Sequence, residues 1–190
     1  MAERIYAFEP YARGTAGAAA GAGITIAPRR PAAMLNVRGP ADAVAIAVQA
    51  RYGVALPREP NTAAGHAVRV LWLGPDEWLL VQNGDADHFL QGGNDVRSRF
   101  CDVSHGRVAL RLRGRDVRDA LAKGCPLDLH PRTFPAGRCA QTAIGRVSVI
   151  LDHVEPDVFD VYCSRSFAGS FWHWIIEACA EYRHAIAPPE

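Results

Sequence analysis

From Met34 onward, apolar and polar positions follow two periods in turn. "MLNVRG" alternates, as a strand with one buried face does. "GPADAVAIAVQARYG" then repeats apolar residues at helical spacing, with Val44, Val48 and Arg51 in register. Pro40 suits the first helical turn and Gly53 a left-handed C-terminal cap. "AVRVLWLGPDEWLLVQNG" is two apolar runs around Gly74-Pro75-Asp76-Glu77, which predicts a hairpin with a turn of about four residues. "DADHFLQGGN" predicts a short helix.

The same order returns. "VALRLRG" is a strand, and "RDVRDALAKG" a helix with Val117, Ala120, Leu121 and Gly124 on one face. "CAQTAIGRVSVILDHVEPDVFDVYC" gives two β-branched runs around His153 to Asp157. "RSFAGSFWHWIIEACAEYRHA" closes with a helix, Ser166 as N-cap and Phe167, Phe171, Ile175, Ala178 and Tyr182 as its apolar stripe. Arg38-Gly39 and Arg113-Gly114 fall at the same point of the two halves, an offset of 113 − 38 = 75 residues. Each half reads strand, helix, hairpin, helix. One such unit leaves a sheet face open, and two can pack as one pseudo-symmetric α+β body. The expected organisation is a single domain over 31–187, with repeats at about 31–99 and 100–187. Residues 1–30 precede it as a flexible arm and linker, because "ARGTAGAAAGAG" has no large side chain to bury.

Composition narrows the function. The 190 residues carry a net charge of +1, which gives no electrostatic case for nucleic acid or anionic lipid. No stretch approaches the roughly 18 continuous apolar residues of a membrane helix. The start, "MAERIYAFEP", lacks the apolar core of a secretory leader. The five cysteines are odd in number and widely spaced, so the expectation is a cytoplasmic chain with reduced thiols.

Candidate sites are few. Gly21-Ala22-Gly23-Ile24-Thr25-Ile26 lacks the third glycine and the preceding strand of a dinucleotide loop. Cys101 and His105 lie four apart along a presumed strand, about 13 Å, too far to share a metal. Asp102, Ser104 and His105 in "DVSHGR" suit a turn into the next strand better than a triad, since neighbours on a strand face opposite ways. Asp116 and Asp128 suit helix and turn capping. Gly124 is expected as a helix C-cap, with Pro126 stopping the helix. Lys123-Gly124-Cys125 shares three residues with a signature of a folate-binding iron–sulfur assembly family, and Pro126-Leu127-Asp128 ends the match.

Pro126, Pro131 and Pro135 stiffen the loop after that helix, which is expected to present Arg132, Phe134 and Arg138 for protein recognition. Trp172 and Trp174 widen the apolar arc of the last helix beyond what one sheet needs. Arg132, Phe134, Arg138, Trp172 and Trp174 are therefore the candidate partner interface. No catalytic, cofactor-binding or metal-ligating residue is assigned.

Several strings occur together in an order that resembles the gamma subunit family of heterotetrameric sarcosine oxidase. They are Asp102-Val103-Ser104, Gly114, Leu121 to Leu129, Phe134 to Thr142, and Arg165-Ser166-Phe167 before the Trp-rich helix, with "LGPDEWLL" in the first half. The resemblance covers Leu35 to about Ala180. It implies a small, cofactor-free chain of a four-chain flavoenzyme that demethylates sarcosine to glycine, makes hydrogen peroxide and passes a one-carbon unit to tetrahydrofolate. FAD, FMN, NAD and the folate would sit on partner subunits, with alpha as the main contact and beta and delta in the complex. The implied fold is similar to the folate-binding domain of aminomethyltransferase. A stand-alone folate or small-molecule binder on that fold is the alternative.

Overall fold

The computed structural model describes residues 7–12, 21–83 and 99–190. The helix expected over 85–94 and residues 13–20 of the Gly/Ala-rich stretch lie outside them. The elements run α1 (Glu9–Ala12), β1 (Ile24–Arg29), β2 (Ala33–Arg38), α2 (Ala41–Tyr52), β3 (Ala63–Ala64), β4 (Val68–Gly74) and β5 (Glu77–Gln82). Then come β6 (Arg99–Asp102), β7 (Arg107–Arg113), α3 (Val117–Ala122), β8 (Cys139–Ile144), β9 (Val147–Glu155), β10 (Val158–Ser164), α4 (Ala168–Cys179) and β11 (His184–Ile186). The chain divides into two compact units: Pro31–Gly106 with Gly137–Ala140, and Met1–Arg30 with Arg107–Ala136 and Gln141–Glu190.

The two sheets have one topology. The first is ordered β3-β4-β5-β2-β6, and the second β8-β9-β10-β7-β1 with β11 added beyond β1. Each hairpin turns on a Pro-Asp pair, Pro75-Asp76 and Pro156-Asp157, and both Asp occupy the left-handed region (φ 57° and 59°). The turns are therefore two residues long, shorter than expected, because Asp tolerates this conformation. Just before each turn one residue is passed over in the ladder. Trp72 pairs with Trp78 and Gly74 with Glu77 in the first hairpin, and His153 with Phe159 and Glu155 with Val158 in the second. The Gly39 N–H donates to the Asp76 carbonyl at 3.1 Å, and the Gly114 N–H to the Asp157 carbonyl at 2.9 Å. The duplication thus extends to single hydrogen bonds.

Each half's sheet also takes a strand from in front of the other half. β1, ahead of the first repeat, pairs antiparallel with β7, and β6, ahead of the second, pairs antiparallel with β2. This corrects the arm expected over 1–30, since residues 24–29 are a buried strand. Gly114 (φ 130°) lets the chain pass there, because a side chain would sit 2.1 Å from the Gly23 carbonyl oxygen. A second correction concerns 139–163, which forms three strands rather than two. Gly145 and Arg146 both take positive φ and close an additional hairpin, so His153 lies within β9.

In the first unit α2 lays Val44 and Val48 on Leu35, Val37, Val70, Trp78 and Leu80. Gly53 caps α2 in the left-handed conformation as expected, its N–H bonded to the Gln49 carbonyl. In the second unit one sheet face is apolar, with Ile26, Leu112 and Phe159 opposite one another. The other face is ionic and buried. Arg111 of β7 lies directly opposite Asp160 of β10, which lies opposite Asp152 of β9. Arg111 grips Asp160 through two hydrogen bonds of 2.6 and 2.7 Å, and Arg29 of β1 adds a third at 2.6 Å. The Tyr162 hydroxyl lies 3.4 Å from the same carboxylate, and burial, then Asp160 and Asp152, push its pKa well above 10.

Asp160 is 1% exposed. Removing its charge strands two cationic groups, so Asp160→Asn is expected to cost about 3–5 kcal/mol in urea denaturation.

Candidate functional site

The candidate site is the segment after α3. Its sequence has too many Gly and Pro to continue the helix, and its backbone is held by side chains instead. Asp128 accepts from the His130 N–H and the Thr133 hydroxyl, both at 2.9 Å. Those two donors hold its carboxyl below the ordinary range. The Thr133 and Phe134 N–H groups both return to the His130 carbonyl. From α3, Arg118 donates to the carbonyls of Leu129 and Phe134 and, at 3.2 Å, to Nε2 of His153.

His153 completes this anchor. Its Nδ1 lies 3.0 Å from the Phe134 carbonyl, so that nitrogen carries the proton and Nε2 accepts from Arg118. The ring stacks on Phe159 at 4.4 Å and faces Phe134 at 6.2 Å. The Arg118 guanidinium lies 5.0 Å from the Phe159 ring centre. Burial first, and the Arg118 charge second, lower the His153 pKa below the usual 6.5, against hydrogen bonds that raise it. Sequence reading missed this pair, although the repeat contains the signal: His153 and Phe159 hold the hairpin positions of half-buried Trp72 and buried Trp78. Beside this anchor, α3 and the loop enclose an open cavity of about 330 Å³.

The candidate interface residues separate. Arg132 is exposed on the loop, and Arg138 is half-buried opposite Thr62. Phe134 is only 6% exposed, so it is not presented as expected, because its ring packs against His153. Trp172 is 5% exposed. It is covered by Phe8 (ring centres 5.9 Å apart), just ahead of α1, and by Tyr11 (6.2 Å) of α1, which docks on α4 rather than hanging free. Trp174 is half-buried in a slot formed by Gly124 and Gly145, where any added Cβ would lie 2.4 Å from its ring. Gly124 is therefore required for close approach and not as a left-handed cap. Of the wide apolar arc of α4, Trp172 is thus covered and Trp174 half covered within their own unit.

Other candidates are also structural. Ser104 is buried and accepts from the Met34 N–H, while Asp102 accepts from the Ser104 N–H, both at 2.8 Å. His105 is exposed, so no triad assembles. Asp116 makes no capping hydrogen bond and instead closes over Gly23. Ser166 lies inside a 3-10 turn, Arg165–Phe167, ahead of α4 and makes no cap. That turn rotates Phe167 out of the stripe, and it is 49% exposed. The cysteines are unpaired, and burial pushes the Cys163 and Cys179 thiols up to about 12, leaving them protonated at neutral pH. Among the described residues, no three His, Cys, Asp or Glu are grouped to hold a metal.

A model of the sarcosine oxidase gamma subunit family matches residues 38–181. The sarcosine oxidase subunit gamma of Corynebacterium sp. (strain U-96) is 35% identical over 144 residues, 73% of this chain and 70% of that one. Its counterpart from Arthrobacter sp. is 32% identical over 157 residues, 80% and 77% of the two chains. Among solved structures, a chain of the heterotetrameric sarcosine oxidase of Corynebacterium sp. U-96 superposes with a TM-score of 0.81 at 28% identity, covering 96% of this chain and 97% of that one. Aminomethyltransferase T of Bartonella henselae superposes at 0.62 and 12% identity, covering 87% of this chain and 48% of that one. It shares the fold.

Two outcomes follow. Gly145→Ala is expected to cost about 1–3 kcal/mol in a denaturant melt, and less in a Trp174→Ala background where the clash is gone. The unfolded chain protonates His153 before the folded one does. Its stabilising contribution is therefore complete above about pH 6.5 and is lost as pH falls toward the lowered value. Urea midpoints should drop between about pH 7 and pH 5, with a shallower slope in His153→Asn.

Proposed function

The chain belongs to the sarcosine oxidase gamma subunit family, and from that premise we propose that it is a non-catalytic, cofactor-free subunit of a heterotetrameric sarcosine oxidase. In this reading the complex demethylates sarcosine to glycine oxidatively, makes hydrogen peroxide and passes the one-carbon unit to tetrahydrofolate. FAD, FMN, NAD and the folate are carried by partner subunits, of which alpha is the main contact and beta and delta complete the assembly. The cytoplasm is its proposed compartment. Among the described residues, no helix is long and apolar enough to cross a membrane.

The observation that carries the reading is how the reactive side chains are used. His153, Arg118, Ser104 and Asp128 each hold backbone or one another in place. The alternative, a stand-alone folate binder, needs a flat apolar slot beside an acid. The cavity beside α3 has carboxylates, but its lining contains no Phe, Tyr or Trp. Of the five proposed interface residues, Arg132 is the exposed one, and it is the first to test against a partner.

Capture of the tagged chain from its own cells, followed by an absorption spectrum, tests the reading. Large partner chains with a flavin spectrum are expected, and the separated chain should be colourless. A lone colourless chain that binds tetrahydrofolate would replace this reading with the alternative.

A further inference from the structure

The cavity beside α3 is built from two segments: Asp119 and Ala122 of the helix, and Leu127 to Pro131 of the loop. At about 330 Å³ it is at the small end of ligand-sized clefts. Ala122, Leu127, Leu129 and Pro131 give it aliphatic walls, and Asp119 and Asp128 line it with carboxylates. Arg118 also lines it, but that guanidinium is already committed to the Leu129 and Phe134 carbonyls and to His153. Asp119 is exposed and has no salt-bridge partner among the described residues. The partners of Arg118 do not cancel its charge, so Asp119 and Asp128 set two negative charges against one positive in the lining.

The shape is pre-formed, because the loop wall is tied by Asp128, Thr133 and Arg118. An anion would meet two carboxylates, and the one aromatic ring in the lining is the exposed imidazole of His130. A lysine or arginine fits both features at once. Its methylene stem lies along aliphatic surface while its head meets the acids. We propose that this cavity is a docking socket for a long basic side chain of a partner subunit. This rests on the subunit reading, which supplies the partner.

The test uses the assembled complex. The tagged chain is co-expressed with its three partner chains and captured, and retention of the partners is measured at low and high salt. Asp119→Asn removes the charge of an exposed side chain at nearly constant volume, and a thermal melt of the variant checks that the fold is kept. Ala122→Trp fills the mouth from an exposed position. Retention is expected to weaken on the order of tenfold in Ala122→Trp and severalfold in Asp119→Asn, which should also lose much of the salt dependence. Wild-type retention and salt dependence in both variants would overturn the socket while leaving the subunit reading intact. Failure of the unmutated chain to retain any partner would overturn the subunit reading and the socket with it.

Discussion

The second unit depends on one carboxylate. Asp160 meets Arg111 across one strand boundary and Arg29 across two, and so ties β1, β7 and β10 together on a buried face. Register follows from it. A one-residue slip of β7 would turn Arg111 toward the apolar face and Leu110 or Leu112 into the ionic row, and neither exchange is tolerable without water. Hydrophobic burial alone would not choose between registers of a strand that is buried on both faces. The Asp160 pairing does, and it recruits β1, whose own sequence is a weak strand. Glu190 extends the arrangement, pairing with Arg111 and Arg113 while its backbone bonds to Pro28 and Arg30.

That dependence explains what was legible in the sequence. The two Pro-Asp hairpins, α2 and the duplication were, because Pro-Asp turns, period-2 runs and a capping glycine are local signals. β1 was not, because Ile24 and Ile26 are followed by Pro28 and two arginines. Arg29 is strand-compatible only because Asp160, far along the chain, neutralises it. Gly124 was read as a terminator because the helix does end there, while the reason for its lack of a side chain is the distant Trp174 ring. The tryptophans of α4 were read as surplus apolar surface because a Gly/Ala-rich stretch separates Phe8 and Tyr11 from every later element in the sequence, and no periodicity links Phe8 to Trp172. Arg132 was placed correctly on the surface. Phe134 was not, because its burial depends on His153, nineteen positions away.

Among the described residues, Ser104, Arg118, Asp128 and His153 hold backbone in place. A nucleophile needs a base held within reach and an accessible face. Here Ser104 is enclosed in the turn after β6, His153 lies between two aromatic rings, and the buried thiols stay protonated. Such groups stiffen a scaffold. A stiff scaffold suits a chain whose proposed work is to be held by others, because a surface that is already ordered loses less entropy on association.

Where the two repeats diverge is informative. Their sheets and hairpins agree down to the Gly–Asp hydrogen bond, but their helical connections do not. α2 runs through 41–52 and is joined to β3 by 53–62, whereas α3 stops at Ala122 and the segment 123–138 intervenes before β8. In the hairpin beneath, the first repeat keeps a Trp72–Trp78 pair where the second has His153 and Phe159. These changes are linked. A shortened helix uncovers sheet that a longer loop must then cover, and a loop has carbonyls that need donors. Arg118 and His153 are those donors, reaching Leu129 and Phe134. A second tryptophan pair would cover the sheet but lack the His153 Nδ1 donor that meets the Phe134 carbonyl. The polar pair thus follows from the loop, and the cavity is the space left between that pinned loop and the short helix.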